Sequence, residues 1–462
     1  MERNEITEKY NNQKKFFYTH QTKNIEFRLN QLLILKKAIE EYESKIIEAL
    51  KKDLNKPPVE SYAAEIGFTL LELDFMIKNI KSLAKPKKVP TSFINAIGKS
   101  YIHNEPFGNV LIIAPWNYPF QLLIAPLIGS IAAGNVSILK PSEFTPETTK
   151  VIKEMIKKHF NEEFVCVIDG EVKETQILLE QKFDYIFFTG STIVGKIVMQ
   201  AAAKNLTPVT LELGGKSPCI IDDDINIEVT AKRIAWGKFL NAGQTCIAPD
   251  YLLVKKSVKT KFIAELKNTI KKFYGENVLE NKDFVKIINE KHFERLVKHL
   301  TGGGEITFGG KYDKNKLLIE PTIMEQVSDN SSVMNEEIFG PILPVIEYEK
   351  IEEAIDYINR RSKPLALYLF TKNKELQKKI TKEISAGGVC INDTLSHIAS
   401  TELPFGGVGD SGIGFYHGKY SFYTFSHPKS VMTKSFTVDP DLKYPPYKIT
   451  LEKLKKLLKW FG

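Results

Sequence analysis

The sequence predicts an α/β protein built on two parallel sheets, and three observations carry that reading. Short, mostly apolar runs recur, among them the continuous Asn109-Val110-Leu111-Ile112-Ile113 and then Val136-Ser137-Ile138-Leu139-Lys140. Runs of that length without alternation are what strands covered on both faces look like. Stretches with apolar residues at helical spacing lie between them. Short loops join the two kinds, as right-handed strand–helix–strand units require. With 462 residues, two or three domains and a large core are expected.

Residues 24–54 and about 60–83 have helical spacing with Lys and Glu in between, and read as outer helices. Residues 85–100, with Pro86 and Pro90, read as a connection. Tyr101 to Glu105 alternates as an edge strand or hairpin does. Residues 106–139 contain no charge, but hold four prolines, three glycines and three asparagines. A membrane helix could not satisfy so much broken backbone. Strand, turn, buried helix and second strand fit better.

Thr145-Pro146 opens the next helix, with Thr as cap and Pro in the first turn. Strands at 164–168, 185–188 and 208–213 then alternate with helices near 173–181 and from about 193. A second series has strands near 217–221, 251–255, 344–348, 365–370 and 389–392. Its helices lie near 227–240, 257–273, 351–360 and 374–384. Gly302-Gly303-Gly304 reads as a surface loop, and 403–431 has no clear period. At the end, Leu451, Leu454, Leu457, Leu458 and Phe461 share one helical face, with Lys453, Lys455, Lys456 and Lys459 around the rest. This helix is too short to span a bilayer. It could touch a membrane surface, although packing on its own protein is the plainer reading.

Lys plus Arg number 64 and Asp plus Glu 56, a net charge of +8. The basic residues are scattered among acidic ones, so a solvated surface is expected rather than a nucleic-acid stripe. Cys166, Cys219, Cys246 and Cys390 form no CxxC, which suggests neither a disulfide framework nor a zinc site. A reducing, cytoplasmic setting fits best. The eight histidines are dispersed without HExxH, so no catalytic metal is expected. Residues 1–5 are charged and precede no signal-peptide apolar core.

The chemistry centres on Asn241-Ala242-Gly243-Gln244-Thr245-Cys246, a glycine-containing turn after a helix. Glu212 precedes Cys246 and ends an apolar strand. A thiol in a turn and a carboxylate at a strand end can act as nucleophile and base. Taken alone, Cys246 reads better as a buried structural cysteine, and the case for chemistry comes from the rest of the chain. Gly190-Ser191-Thr192-Ile193-Val194-Gly195 follows a strand and opens a helix, with the outer glycine spacing of GxGxxG but Thr192 in the middle position. Such a turn can present helix amides to a dinucleotide phosphate. Lys140 ends a parallel strand with Glu143 just beyond; the two could bond ribose hydroxyls or form a solvated pair. Asn117 follows a buried strand and could donate to an oxyanion, or simply form a turn beside proline.

Together APWNYP, LKPSE, FTGSTIVG, LELGGKSP, NAGQTC, EEIFGP and LPFGG, in that order, resemble the NAD(P)-dependent aldehyde dehydrogenases. The resemblance runs from about 60 to 435. The run from Leu403 to Gly412 continuing into Tyr416 to Phe422 is similar to the class 3 branch. It implies an aldehyde-dehydrogenase-like α/β fold of two parallel-sheet domains plus a β bridging flap. The nucleotide-binding domain would comprise 1–84 and 106–212, the catalytic domain 213–402, and the flap 85–105 and 403–435. Residues 436–462 would form a tail, and the protein would be a homodimer. Class 3 members oxidise medium- and long-chain aliphatic and aromatic aldehydes, many with NAD or NADP.

By the same resemblance, Cys246 is the nucleophile, Glu212 the general base and Asn117 the oxyanion donor with the Cys246 N–H. Lys140 and Glu143 contact the adenosine ribose, and Gly190 to Gly195 form the nucleotide loop. Glu337 contacts the nicotinamide ribose, with Phe339 its packing neighbour. Tyr118, Trp236, Leu395, Ile398 and Ala399 line the aldehyde channel. Ala242 stands where class 3 relatives often have a second cysteine. The implied reaction needs a thiolate, fixed donors for a tetrahedral oxyanion, a cofactor as electron acceptor, and a base for the water that cleaves a thioester. A CoA-acylating enzyme, which usually lacks the glutamate base, and a non-catalytic protein on the same fold are the alternatives. Glu143 would repel a 2′-phosphate at the ribose, which leans towards NAD.

Overall fold

The computed structural model describes residues 1–92, 95, 98–437, 439 and 441–461. Residues 93, 94, 96 and 97 of the expected connection, and 438, 440 and 462 of the expected tail, lie outside the described set, as do the side chains of Leu442 and Phe461.

The first sheet runs Val165–Val167, Val136–Lys140, Asn109–Ile113, Tyr185–Thr189, Val209–Glu212, all parallel, and ends with an antiparallel Gly412–Ile413. The strands Asn109–Ile113, Val136–Lys140 and Tyr185–Thr189 are buried throughout, as their mostly apolar runs require. Chain order reverses at Asn109–Ile113: later strands go to one side through Val136–Lys140 and to the other through Tyr185–Thr189. A crevice at the carboxyl ends of the two strands is the expected ligand position in such a sheet. The segment after Ile113 carries Asn117, and the turn after Thr189 begins at Gly190.

The second sheet runs Glu305–Phe308, Thr322–Glu325, Ile342–Tyr348, Tyr251–Lys255, Pro218–Ile221, Ala366–Phe370, Gly388–Ile391. It is parallel except for its first strand. A third, antiparallel sheet joins Lys87–Val89, Gly98–Pro106 and Ser426–Lys434. Of the two expectations for 101–105, edge strand or hairpin, the edge strand is corrected, while Gly98–Pro106 does pair antiparallel with the preceding Lys87–Val89. Gly98–Pro106 is central, because Ser426–Lys434 pairs along its whole length and occupies the outer edge.

Other differences have local causes. Helix Arg3–Phe17 was not foreseen, because it buries only Ile6, Tyr10 and Gln13 and is otherwise polar. The expected helix 60–83 is three pieces, Pro58–Ser61, a wide turn Tyr62–Ile66 and Gly67–Leu83. Gly302 closes an unforeseen helix, Glu290–Gly302, and the next two glycines turn the chain into Glu305–Phe308. Thr145 does not cap helix Pro146–His159; its hydroxyl is buried without a partner. Asp53, from helix Ile25–Leu54, takes the role, accepting the N–H of Glu147 at 3.2 Å and of Thr148 at 2.8 Å. Leu451–Phe461 forms the expected amphipathic helix, but residues 451–460 are all exposed, so it does not pack into its own core. Among the described residues no helix is long and apolar enough to cross a membrane.

Candidate active site

The turn that carries Cys246 is held against its own strain. Helix Ile227–Phe239 ends and the chain takes three left-handed residues, Asn241 (φ 53°), Ala242 (φ 52°) and Gly243 (φ 74°). The first two are not glycine, so the turn costs energy that its surroundings must offset. Glu60 accepts the Asn241 N–H at 2.9 Å. The Asn241 amide donates to the carbonyls of Asn117 (2.9 Å) and Gln244 (3.1 Å). The Gln244 side chain donates to the Asn241 and Lys286 carbonyls and accepts the Ile288 N–H, each at 3.1 Å. A Cβ on Gly243 would lie 2.3 Å from the Gly340 carbonyl oxygen, so only glycine fits.

Cys246 emerges from this turn half-buried, in the wall of a cavity of about 1350 Å³. Burial pushes its thiol up, and the carboxylates of Glu337 and then Glu212 push further, while the N–H groups of Cys246 and Ile247 pull the other way. Glu212 shares the cavity wall at the end of strand Val209–Glu212. Both its oxygens are buried without a hydrogen-bond partner. Burial alone raises its carboxyl well above the usual range. Asn117, also in the wall, donates one amide hydrogen to the Gln244 carbonyl at 3.0 Å. Its second amide hydrogen is available for a ligand. Tyr118 shares a 2.7 Å hydrogen bond with the hydroxyl of Thr245, the neighbour of Cys246.

On one side the cavity meets the carboxyl ends of the first sheet. Lys140 is buried there, its ammonium donating to the Pro141 carbonyl at 2.6 Å. Burial lowers the Lys140 ammonium's proton affinity, and the charge of the exposed Glu143 works against that. Ser191 caps helix Thr192–Ala203 by accepting the Val194 N–H, and Thr192 donates to the Asp410 carbonyl at 3.2 Å. Ile193 is largely exposed, and Val194 also lies at this edge of the cavity. Gly190 and Gly195 are tight positions: a Cβ would lie 2.5 Å from the ring of Phe188 or the side chain of Leu213. Glu337 also borders the cavity, its carboxyl pushed up to about 8 by burial and by Asp250. Phe339, at φ 50°, meets the Trp116 ring edge-on with centroids 5.4 Å apart.

The opposite wing is mostly apolar. Tyr118, Trp236, Leu395, Ile398 and Ala399 all border it. Leu395 is buried and left-handed at φ 61°, so the 396–399 turn is held in a strained entry. The structure brings the residues singled out for catalysis, cofactor and substrate to one cavity wall, except Gly195, which packs on Leu213 beside it.

Several neighbours were not singled out. Glu60 borders the cavity. Behind it, Lys56 and Glu65 form an ion pair of 2.5 Å with both side chains fully buried. Lys56 also donates to the Asn117 carbonyl, and Glu65 accepts the Phe120 and Gln121 N–H groups. Lys238 is fully buried without a hydrogen-bond partner, lowered to about 8 by burial. Arg295 holds the Glu337 and Ile338 carbonyls. One signal existed: Glu65 and Glu72 occupy the same face as Thr69, Met76 and Ile80, a charged group where the pattern asks for an apolar one.

Comparison with known proteins gives the family. The profile of the aldehyde dehydrogenase family matches residues 1–431. The chain is 51% identical to the 4,4'-diaponeurosporen-aldehyde dehydrogenase of Staphylococcus aureus, over 99% of this chain and 100% of that one. It is 47% identical to mouse aldehyde dehydrogenase family 3 member A2, over 93% of this chain and 89% of that one. The structure described as the substrate-bound state of Staphylococcus aureus AldH superposes with a TM-score of 0.96 at 51% identity, covering 98% of this chain and 99% of that one. The chain belongs to the aldehyde dehydrogenase family, with class 3 members among its relatives, and is an oxidoreductase acting on aldehydes with NAD or NADP.

Proposed function

We propose that Cys246, Glu212 and Asn117 carry out the oxidation of medium- and long-chain aliphatic or aromatic aldehydes to carboxylic acids. The observation that carries this reading is a thiol, an unpartnered buried carboxyl and a half-used amide on the wall of one cavity. The Cys246 sulfur adds to the aldehyde carbon. The second Asn117 amide hydrogen and the Cys246 N–H are the donors for the resulting oxyanion. NAD or NADP, when bound, supplies the electron acceptor that turns this adduct into a thioester. Glu212 then takes a proton from the water that cleaves the thioester, and its raised affinity for protons suits it to that step.

The residues on the sheet side fit such a dinucleotide. Lys140 has a buried ammonium with one acceptor and two hydrogens to spare. The cavity reaches the 190–195 turn, and Glu337 lies against the side-chain-free Gly214. Lys140 and Glu143 would hold the adenosine ribose, residues 190–195 the phosphates, and Glu337 with Phe339 the nicotinamide ribose. This makes 1–84 with 106–212 a nucleotide-binding unit and 213–402 a catalytic unit. The apolar wing suits an apolar aldehyde tail. The presence of Glu212 favours hydrolysis over transfer to CoA.

The protein acts as a homodimer in this reading, with 85–105 and 403–435 bridging the subunits. Ser426–Lys434 and Gly388–Ile391 are both outer strands with one unpaired edge, the feature that strand pairing between chains exploits. Four free cysteines and no disulfide among the described residues support a cytoplasmic setting. The exposed leucines and lysines of 451–460 leave contact with a membrane surface open to test by liposome co-sedimentation with and without 450–462.

The direct test is reduction of NAD, then NADP, by aldehydes from acetaldehyde to dodecanal and by benzaldehyde, with Cys246→Ala and Glu212→Gln beside the parent protein. Reduction without CoA that depends on both residues is expected. Reduction only when CoA is present would replace hydrolysis by acyl transfer.

A further inference from the structure

Glu60 puts a carboxyl in the cavity wall beside the Cys246 turn. Glu60 stands on the short helix Pro58–Ser61 and borders the cavity. One of its oxygens accepts the Asn241 N–H at 2.9 Å, and among the described residues no cation lies in ion-pair range of it. The nearest candidate, Lys56, is committed to Glu65 at 2.5 Å and to the Asn117 carbonyl at 3.2 Å. Burial raises the Glu60 carboxyl, while Lys56 and the Asn241 N–H favour its charged form; when both carboxyls are ionised the three side chains leave one net negative charge, and it is Glu60 that borders the cavity. Of the cations in the wall, Lys140 ends a strand of the first sheet and Arg295 bonds the Glu337 carbonyl. The distance to the chemistry is short. Tyr118 is bonded to Thr245 beside Cys246, and its hydroxyl feels the charges of both Glu60 and Cys246.

A carboxylate is a costly neighbour for an apolar channel unless its charge has a use. The Asn241 bond alone does not require the charge, since an amide oxygen would accept the same N–H. We infer that Glu60 is a charge filter on the aldehyde channel: it disfavours aldehydes that carry a carboxylate and hastens the departure of the carboxylate product. It touches no reacting atom, and acts on specificity and release. The inference rests on aldehyde oxidation at Cys246. Like charges sharing a poorly solvated cavity repel strongly enough to change binding by about tenfold or more.

The test uses 4-formylbenzoate and its methyl ester, which differ by one charge, together with hexanoate as a product-like inhibitor. In the parent protein kcat/KM for the acid should fall at least about tenfold below that for the ester. In Glu60→Gln, which keeps the oxygen facing Asn241, that ratio should rise by about tenfold through KM, and hexanoate should inhibit more tightly by a similar factor. A purely structural role would lower both substrates through kcat and leave the ratio and the inhibition unmoved, which overturns the inference. Equal use of acid and ester by the parent protein overturns it as well, and needs no variant to fold. Turnover of the ester reports the oxidation itself, so a failure of the filter is distinct from a failure of the activity.

Discussion

The carboxyl of Glu337 lies where a side chain on Gly214 would stand: a Cβ there would be 2.0 Å from Oε2. The Gly215 N–H, Lys216 and Arg295 favour its charged form, while burial and Asp250 oppose it. Gly214 has an ordinary negative φ, so alanine meets no backbone strain, only the carboxyl. Gly214→Ala should therefore fold and push Glu337 aside. We expect kcat/KM for the cofactor to drop about tenfold to a hundredfold, with a near-unchanged melting temperature. Steady-state titration of NAD and NADP checks it; unchanged cofactor kinetics would remove Glu337 from that role.

Lys56 and Glu65 are both fully buried. Such a pair adds little net stability over an apolar pair, but breaking it leaves an uncompensated charge. Lys56→Met should cost about 3–5 kcal/mol. It should also slow turnover, because Lys56 steadies the Asn117 carbonyl and Glu65 the N–H groups of Phe120 and Gln121. Lys56→Met combined with Glu65→Leu should recover most of the stability. Denaturant unfolding of the three variants measures this, and a double variant no better than the single one would sink it.

Local pattern carried most of the fold. The runs 109–113 and 136–140 are strands because most of their residues are apolar and both faces are covered, and the pairings follow from short crossovers. What stayed hidden is what depends on distant residues. The Cys246 turn needs Glu60, and nothing near position 60 announces a partner at Asn241. Helix Arg3–Phe17 is held by three buried side chains, too few to show as a stripe. The residues of the site were legible as a set because their motifs match a family in order; individually, Asn117 reads better as a turn residue and Lys140 equally well as a surface one.

The N-terminus of helix Pro146–His159 is a case where local reasoning chose the wrong residue. Asp53, not Thr145, accepts its free N–H groups. Asp53→Ala should destabilise by about 1–2 kcal/mol. Thr145→Val keeps the shape and removes a buried hydroxyl that has no partner, so it should be neutral or stabilising. Thermal melts of the two variants decide it; the opposite ranking would restore Thr145 as the cap.

Glu212 should link activity and stability through one proton. Burial raises its carboxyl well above the usual value, and neither oxygen has a partner. Between the unfolded and folded values the native chain holds a proton that the unfolded chain has lost, so stability falls as pH rises through that window. Glu212→Gln carries no such charge. It should melt higher than the parent at about pH 8, and the difference should close towards about pH 4, where both side chains are neutral. Activity should move the other way. Loss of a general base costs about a hundredfold to ten-thousandfold, and it should fall on thioester hydrolysis, leaving a burst of one reduced cofactor per Cys246 before a slow steady rate. The parent's steady rate should rise with pH as Glu212 loses its proton, and the variant should lack that rise. The burst rate should keep its own pH dependence, because the Cys246 thiol is also pushed up. A variant that lost the burst along with the steady rate would assign Glu212 to the addition step instead.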